Sequence, residues 1–152
     1  MLSDNTIQWM TENGFDPQQL NLPGRYGDTP LILASRRGLP VVVADLISAG
    51  ADIHHRNMDG TNALWAAVVA DSIAIAERLL ASGADLDNQN DNGATVLMYA
   101  ASTGKTQWVR FLLEKGADTG LKSLDDFTAL DLASNVDILR LLRPSARHEN
   151  RC

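Results

Sequence analysis

Residues of the same type recur every 33 positions along most of this 152-residue chain, and this period constrains the fold more than any single motif does. Self-similarity at a period of this size predicts an array of stacked units, because one short unit cannot bury its own apolar stripe. The recurring residues are Leu31, Leu64, Leu97 and Leu130, then Ala34, Ala67, Ala100 and Ala133, then Leu46, Leu79 and Leu112, and finally the Gly-Ala-Asp triplets that begin at Gly50, Gly83 and Gly116.

Each copy carries the signals of two short helices. In the first copy Thr29 precedes an apolar run, where its hydroxyl can accept a hydrogen bond from a first-turn amide, and a helix is predicted over about residues 30–36. Gly38 then reverses the chain with a positive φ, and the second copy has Asp71 at that place, one of the few other residue types that tolerate it. The second helix follows, with one apolar face formed by Val42, Val43, Leu46 and Ile47.

The segments TPLILASRRG, NALWAAVVAD and TVLMYAASTG, each followed by a helix and Gly-Ala-Asp, resemble ankyrin repeats over about residues 27–142. The resemblance implies an all-α fold, an ankyrin-repeat solenoid with about three full repeats flanked by N- and C-terminal capping half-repeats. The chain departs from the family pattern at Asn62, which replaces the threonine of the second copy. It also departs at the histidine of the family's Thr-Pro-Leu-His, where it has Ile32, Trp65, Met98 and Asp131.

The register of the copies predicts a single domain followed by a polar tail. In the N-terminal cap we expect Ser3 or Asp4 to cap a helix, with Ile7 and Met10 facing the first full repeat. In the C-terminal cap we expect four residues to fold back on the third repeat: Val136, Ile138, Leu139 and Leu142. The predicted domain covers residues 1–142, and the predicted tail covers 143–152. Within the domain we expect an N-terminal cap helix and loop at 1–26, full repeats at 27–59, 60–92 and 93–125, and a shortened C-terminal cap at 126–142.

Composition restricts the partners and the compartment. The formal net charge of −6 argues against nucleic acid as the main partner, and no apolar run approaches the roughly 18 residues that span a membrane. The first residues lack a basic stretch followed by an apolar one, so they do not resemble a signal peptide. The lone Cys152 fits a reducing compartment, and an idle terminal residue is favoured over a reactive thiol. We therefore expect a cytoplasmic protein that binds neither nucleic acid nor membranes and is monomeric on its own.

Two stretches resemble metal sites but lack the required ligands. Residues 85–93 look like the start of a calcium loop, but Asn90 and Val96 stand where that loop needs glycine and glutamate. His54 and His55 are adjacent, with no cysteine or third histidine nearby. The chain also has no nucleophile motif and no glycine-rich phosphate loop. We therefore expect no metal, no cofactor and no catalytic residue.

Three further residues have a structural interpretation. Asp45 and Arg78 occupy the same place in the second helices of neighbouring copies, so we expect them within salt-bridge range, as an exposed pair worth roughly 0.2–1 kcal/mol. Trp108 takes the place of Val42 and Ile75 on the buried face of its helix and is expected to fill the core.

Proteins with ankyrin repeats typically bind partners along the turn tips and the concave face of the first helices. The resemblance therefore implies a non-catalytic protein-binding module, and a small stand-alone inhibitor or regulator of a partner enzyme is the alternative. Carried over by register, the candidate partner-binding residues are Arg25, Tyr26, Asp28, Arg36, Arg37 and Arg56 around the first copy, Met58, Asp59, Trp65 and Val69 around the second, Asp91, Asn92 and Ser102 around the third, and Phe127 at the fourth turn.

The charge pattern predicts the chemistry of the partner. Residues 57–104 hold one basic side chain against six acidic ones, whereas four of the thirteen basic residues fall on one side of the first copy: Arg25, Arg36, Arg37 and Arg56. Arginine, tyrosine and tryptophan lead among interface hot spots, and a guanidinium matches a carboxylate with two hydrogen bonds. We therefore expect an acidic segment of a partner protein here, beside Tyr26 and Trp65. The alternative is that these arginines only offset neighbouring acids such as Asp28.

Overall fold

The chain folds into short α-helices joined by tight turns, and a computed structural model describes residues 2–143 of it. Within these residues there are eight α-helices and no strand, which confirms the all-α prediction. A short 3₁₀ helix, Arg25–Gly27, precedes the second α-helix. The α-helices are α1 (Asp4–Glu12), α2 (Pro30–Arg36), α3 (Pro40–Ser48), α4 (Ala63–Val69), α5 (Ile73–Ala81), α6 (Val96–Ser102), α7 (Thr106–Glu114) and α8 (Val136–Leu142).

The helices are distributed over two compact units, Met1–Asp85 with α1 to α5 and Leu86–Cys152 with α6 to α8. In the first unit α1 packs on α3, α2 packs on α3 and α4, and α5 packs on α3 and α4. In the second unit α7 packs on α6 and α8. The grouping of all copies into one domain over residues 1–142 stays a prediction.

A side-chain cap begins the first helix of each full copy, and these helices therefore start 33 residues apart. The Thr29 hydroxyl accepts a hydrogen bond from the amide three residues further on at 3.3 Å, and Thr95 does the same at 3.2 Å. Asn62, the departure in the second copy, accepts the equivalent bond at 3.2 Å through its side-chain oxygen. The replacement keeps the helix start, since asparagine caps helices at least as well as threonine.

The turn between the two helices of a copy requires one residue in the left-handed region. Gly38 and Gly104 have φ values of 68° and 74° there, and Asp71 has a φ of 61°. Aspartate tolerates this region better than most residues with a Cβ. The prediction for Asp71 is therefore confirmed.

Helix α1 covers the start of the first unit. Ser3 caps it by accepting a hydrogen bond from the Thr6 amide at 3.3 Å. Thr6 and Met10, one turn apart, are fully buried and form the face that packs on α3. Ile7 was expected on this face, but 38% of its surface is exposed. The buried face runs through Thr6 instead, because its hydroxyl donates to Asp45 on α3 at 2.6 Å.

The Asp45 carboxylate is used within the first unit to hold α1. It accepts hydrogen bonds from the hydroxyls of Ser3 and Thr6. The bond from Ser3 and then that from Thr6 lower the pKa of Asp45, because they favour its charged form. The predicted ion pair with Arg78 is wrong, since both residues lie in the described part of the chain and no ion pair joins them. The Asp45 carboxylate instead accepts from hydroxyl groups at the start of α1, those of Ser3 and Thr6.

The second unit is built around α7. Trp108 on this helix is 2% exposed, and its ring meets Phe111 edge-on with 5.5 Å between ring centroids, which confirms its role in the core. Ile138 and Leu142 on α8 are also buried. Val136 was expected with them but is 58% exposed, because it is the first residue of α8 and the buried face begins two residues later.

A side chain at Gly83 is expected to destabilise the fold through the backbone alone. Gly83 has a φ of 99°, and a Cβ added there would meet nothing within 4 Å. We expect Gly83→Val to lower the free energy of unfolding by about 1–3 kcal/mol, the cost of a strained φ, as measured by urea denaturation. Gly120→Val is the matched control, since Gly120 is also exposed and has no positive φ in the left-handed region. Equal losses in the two variants would contradict this explanation.

The stability contributed by Asp45 is expected to depend on pH. Asp45→Ala removes the acceptor for the buried Thr6 hydroxyl, so it is expected to lower the urea midpoint at neutral pH. Since the folded-state pKa lies below the ordinary 3.8, this contribution is present above that pH and is lost as the pH falls through the folded value. The difference from wild type is therefore expected to be constant from about pH 7 to pH 5 and to shrink below 3.8. Glu77→Ala, an exposed carboxylate on α5, is the control, and a difference that does not change with pH would count against these hydrogen bonds.

Candidate functional site

One cleft in the first unit brings together five of the residues that the sequence predicted around the first copy. Its volume is about 460 Å³, within the range of roughly 300–1,000 Å³ typical of ligand-binding clefts. The lining residues come from the end of α1, the 3₁₀ helix and α2: Asn13, Phe15, Arg25, Tyr26, Asp28, Leu33, Arg36 and Arg37.

The 3₁₀ helix presents an aromatic ring and a cation at the edge of this cleft. Tyr26 and Gly27 have φ values of 61° and 74°, so two successive left-handed residues reverse the chain. A positive φ is costly for a bulky residue such as tyrosine. Tyr26 is 65% exposed, and the Arg25 guanidinium lies over its ring, with 5.7 Å between Cζ and the ring centroid. The two side chains therefore form a cation–π pair at the surface.

Asp28 ties the 3₁₀ helix to α2 and to the turn of the second copy. Its carboxylate accepts hydrogen bonds from both terminal nitrogens of Arg36, that from Nη2 at 3.2 Å, and from the Asn57 side-chain amide at 2.9 Å. The hydrogen bond to Asp28 raises the pKa of Arg36, and partial burial of the guanidinium opposes this rise. Asp28 was expected on the partner-facing surface, but it is only 4% exposed because it serves as this internal acceptor.

The cleft carries a positive charge that its own acid does not cancel. Arg25 and Arg37 are exposed and form no ion pair within residues 2–143, whereas Arg36 is paired with Asp28. Three arginines against one aspartate give the lining a formal charge of +2. The whole chain has a formal charge of −6. The cleft is therefore a local basic site on an acidic protein, which favours the binding of carboxylates.

The apolar part of the lining comes from Phe15 and Leu33, which were not among the predicted site residues, and neither was the lining residue Asn13. Phe15 follows Gly14 at the place where later copies have a buried alanine: Ala51, Ala84 and Ala117. The larger Phe15 ring lies 6.1 Å from the Trp9 ring and is half-buried. An aromatic residue at a place otherwise held by alanine is the signal from which this wall could have been found.

Trp65 was expected on the exposed concave face, but the structure buries it. Only 7% of its surface is exposed. In the other two full copies the same place is held by Ile32 and Met98, which are 1% and 2% exposed. Trp65 therefore occupies a core position of the repeat, and its indole is not available to a partner in this structure.

The remaining predicted residues are exposed at turns or helix ends. Met58 is 73% exposed and Val69 is 48% exposed, and Arg56 donates from Nε to the Gly60 carbonyl at 3.0 Å. The exposed predicted residues outside the lining of the cleft are Arg56, Met58, Asp59 and Val69 in the first unit and Asp91, Asn92, Ser102 and Phe127 in the second.

The stretches that resembled metal sites hold turns instead. His55 Nε2 lies 2.8 Å from the Gly27 carbonyl oxygen, and the Asn90 side-chain oxygen accepts hydrogen bonds from the amides of Asn92 and Ala94. Among residues 2–143 no group of three or more His, Cys, Asp or Glu side chains is placed to hold a metal ion. None of the helices described there has the length and apolar character that a membrane span requires.

Comparison with known proteins finds a family-level similarity. A family model for ankyrin repeats, with three copies, matches residues 2–90 and residues 71–151, which together cover almost the whole chain. No curated protein matches the chain. Ankyrin repeats are generally protein–protein interaction modules and are typically non-catalytic.

Removing the Asp28 carboxylate is expected to loosen the cleft and destabilise the fold. Arg36 and Asn57 would lose their shared acceptor, and a hydrogen bond to a charged group is worth about 1.5–3 kcal/mol, less where a partner is partly exposed. We expect Asp28→Ala to lower the free energy of unfolding by about 2 kcal/mol in urea denaturation. Asp91→Ala is the control, because Asp91 is an exposed aspartate in a turn of the second unit. If both variants matched wild type, Asp28 would not be holding these elements together.

Proposed function

Because the chain belongs to the ankyrin repeat family, we propose that it is a non-catalytic protein-binding module that holds an acidic segment of another protein on the basic side of its first copy. Ankyrin repeats generally bind other proteins. One observation supports the choice of this side. Four candidate residues with accessible side chains line a single cleft: Arg25, Tyr26, Arg36 and Arg37.

An acidic segment suits this cleft for physical reasons. The guanidinium groups of Arg25 and Arg37 have no carboxylate partner within the described residues, and a carboxylate can accept two parallel hydrogen bonds from such a group. Arginine and tyrosine are also the residue types that contribute most often to interface affinity. The exposed Met58 and Val69 extend the contact along the first unit. We expect the free chain to be a cytoplasmic monomer.

The proposal predicts that two arginines control the affinity for the partner. The partner is captured on the immobilised full chain from the cytoplasm of the source cells and identified by mass spectrometry, and its affinity for the purified chain is measured by calorimetry. We expect Arg25→Ala and Arg37→Ala each to weaken binding by about 10- to 30-fold, or roughly 1.4–2 kcal/mol, because each removes a charged interface contact.

Arg110→Ala is the matched control for these variants. Arg110 is an exposed arginine on α7 and forms no ion pair within the described part of the chain. Affinities of the two cleft variants equal to that of this control, with unchanged circular dichroism, would place the docking site elsewhere. If the partner is an enzyme, its activity with and without the bound chain distinguishes an inhibitor from an adaptor.

A further inference from the structure

We propose that the cleft is an anchor pocket for one large apolar side chain of the partner, aromatic or aliphatic, that has glutamate or aspartate on either side of it in sequence. This inference rests on the proposed function and adds to it the chemistry of the bound segment. It follows from the lining of the cleft, which is part apolar and part basic.

The apolar part of the cleft calls for an apolar occupant. Phe15 and Leu33 are only half-buried, and Tyr26 is 65% exposed, so these three side chains leave aromatic and aliphatic surface in contact with water. Carboxylates alone would leave that surface uncovered. A large apolar side chain placed against it removes this surface from water, which favours binding. The volume of about 460 Å³ has room for such a side chain.

The basic part of the cleft selects the residues that flank the anchor. Arg25 lies in the 3₁₀ helix and Arg37 is the C-cap residue of α2, so the two available guanidinium groups come from different elements. Arg36 already shares the Asp28 carboxylate and contributes less. Acidic residues before and after the anchor can therefore each form an ion pair with an arginine, whereas basic residues at these places are repelled.

The walls of the cleft are held in place before any partner binds. Asp28 orients Arg36, and the Asn13 side chain donates to the Trp9 carbonyl at 2.8 Å. The Tyr26 carbonyl accepts from the Met58 amide at 3.0 Å, which fixes the 3₁₀ helix against the next turn. A cleft held in this way loses little conformational entropy on binding, so a short segment is sufficient. A long polyanion such as nucleic acid is disfavoured by the formal charge of −6.

The test is an NMR titration of the isotopically labelled full chain with three blocked heptapeptides. Their centres are Glu-Phe-Glu, Glu-Ser-Glu and Lys-Phe-Lys, each between Gly-Ser flanks. We expect the Glu-Phe-Glu peptide to shift the amides of cleft residues in a saturable way and to bind at least about fivefold more tightly than either of the others. We expect Arg37→Gln to weaken this peptide about fivefold and Arg110→Gln to leave it unchanged. In Phe15→Ala the preference for phenylalanine over serine is expected to disappear.

Two results would overturn the anchor pocket. One is the absence of saturable shifts at the cleft with the Glu-Phe-Glu peptide up to about 5 mM, a concentration that detects even weak binding. The other is equal affinity for the Glu-Phe-Glu and Glu-Ser-Glu peptides in the wild-type chain. If Arg25→Ala and Arg37→Ala nevertheless lose the protein partner, the docking side stands and only the anchor fails. If the peptide binds but those variants keep the partner, the docking proposal fails and the chemistry of the pocket stands.

A second copy of the chain is the competing occupant. The turn at residues 124–127 has two aspartates between Leu124 and Phe127, which are 76% and 47% exposed. Sedimentation of the chain alone decides between the two. Association that rises with concentration and is lost in both Arg37→Gln and Asp125→Asn would show a second copy in the cleft and would overturn a separate partner. A monomer across the concentration range supports the separate partner.

Discussion

In the first unit neighbouring helix pairs bury their apolar faces against each other, and this mutual burial determines which side chains remain available for binding. In the first unit α2 packs on α4 and α3 packs on α5. Side chains at this place, such as Ile32 and Trp65, belong to the core in each of the three full copies. A binding surface has to be made from what is left, namely the turns and the ends of the helices. The arginines at 25 and 37 lie at such places.

The cleft lies between the chain that follows α1 and the first helix of the first full copy. Helix α1 packs on α3, and the chain between α1 and α2 forms turns and the 3₁₀ helix. Leu33 on α2 is half-buried at this cleft, whereas Ala66 at the same place on α4 is 4% exposed. Phe15 lines the same cleft. Phe15 and Leu33 thus form an apolar wall beside a set of arginines.

Local signals and tertiary surroundings explain what the sequence could and could not predict. The bounds of α2 agree with the prediction, because the cap at Thr29 and the turn at Gly38 act within a few residues. The clustering of the arginines followed from the register. The burial of Asp28 and the hydroxyl partners of Asp45 depend on side chains from other elements, which the period does not specify. The apolar wall was missed for the same reason, since it combines Phe15 from the turn after α1 with Leu33 on α2.

The attachment of α1 to α3 affects how long the wall of the cleft stays formed. This helix is held to α3 through Met10 and through the hydroxyl groups that reach Asp45, and the chain that leaves it supplies Asn13 and Phe15. Whenever α1 frays, the wall that it supports is lost with it. Ligand binding in the cleft and hydrogen exchange at the α1 amides are therefore thermodynamically linked. A bound ligand slows hydrogen exchange in α1, although it does not itself cover that helix.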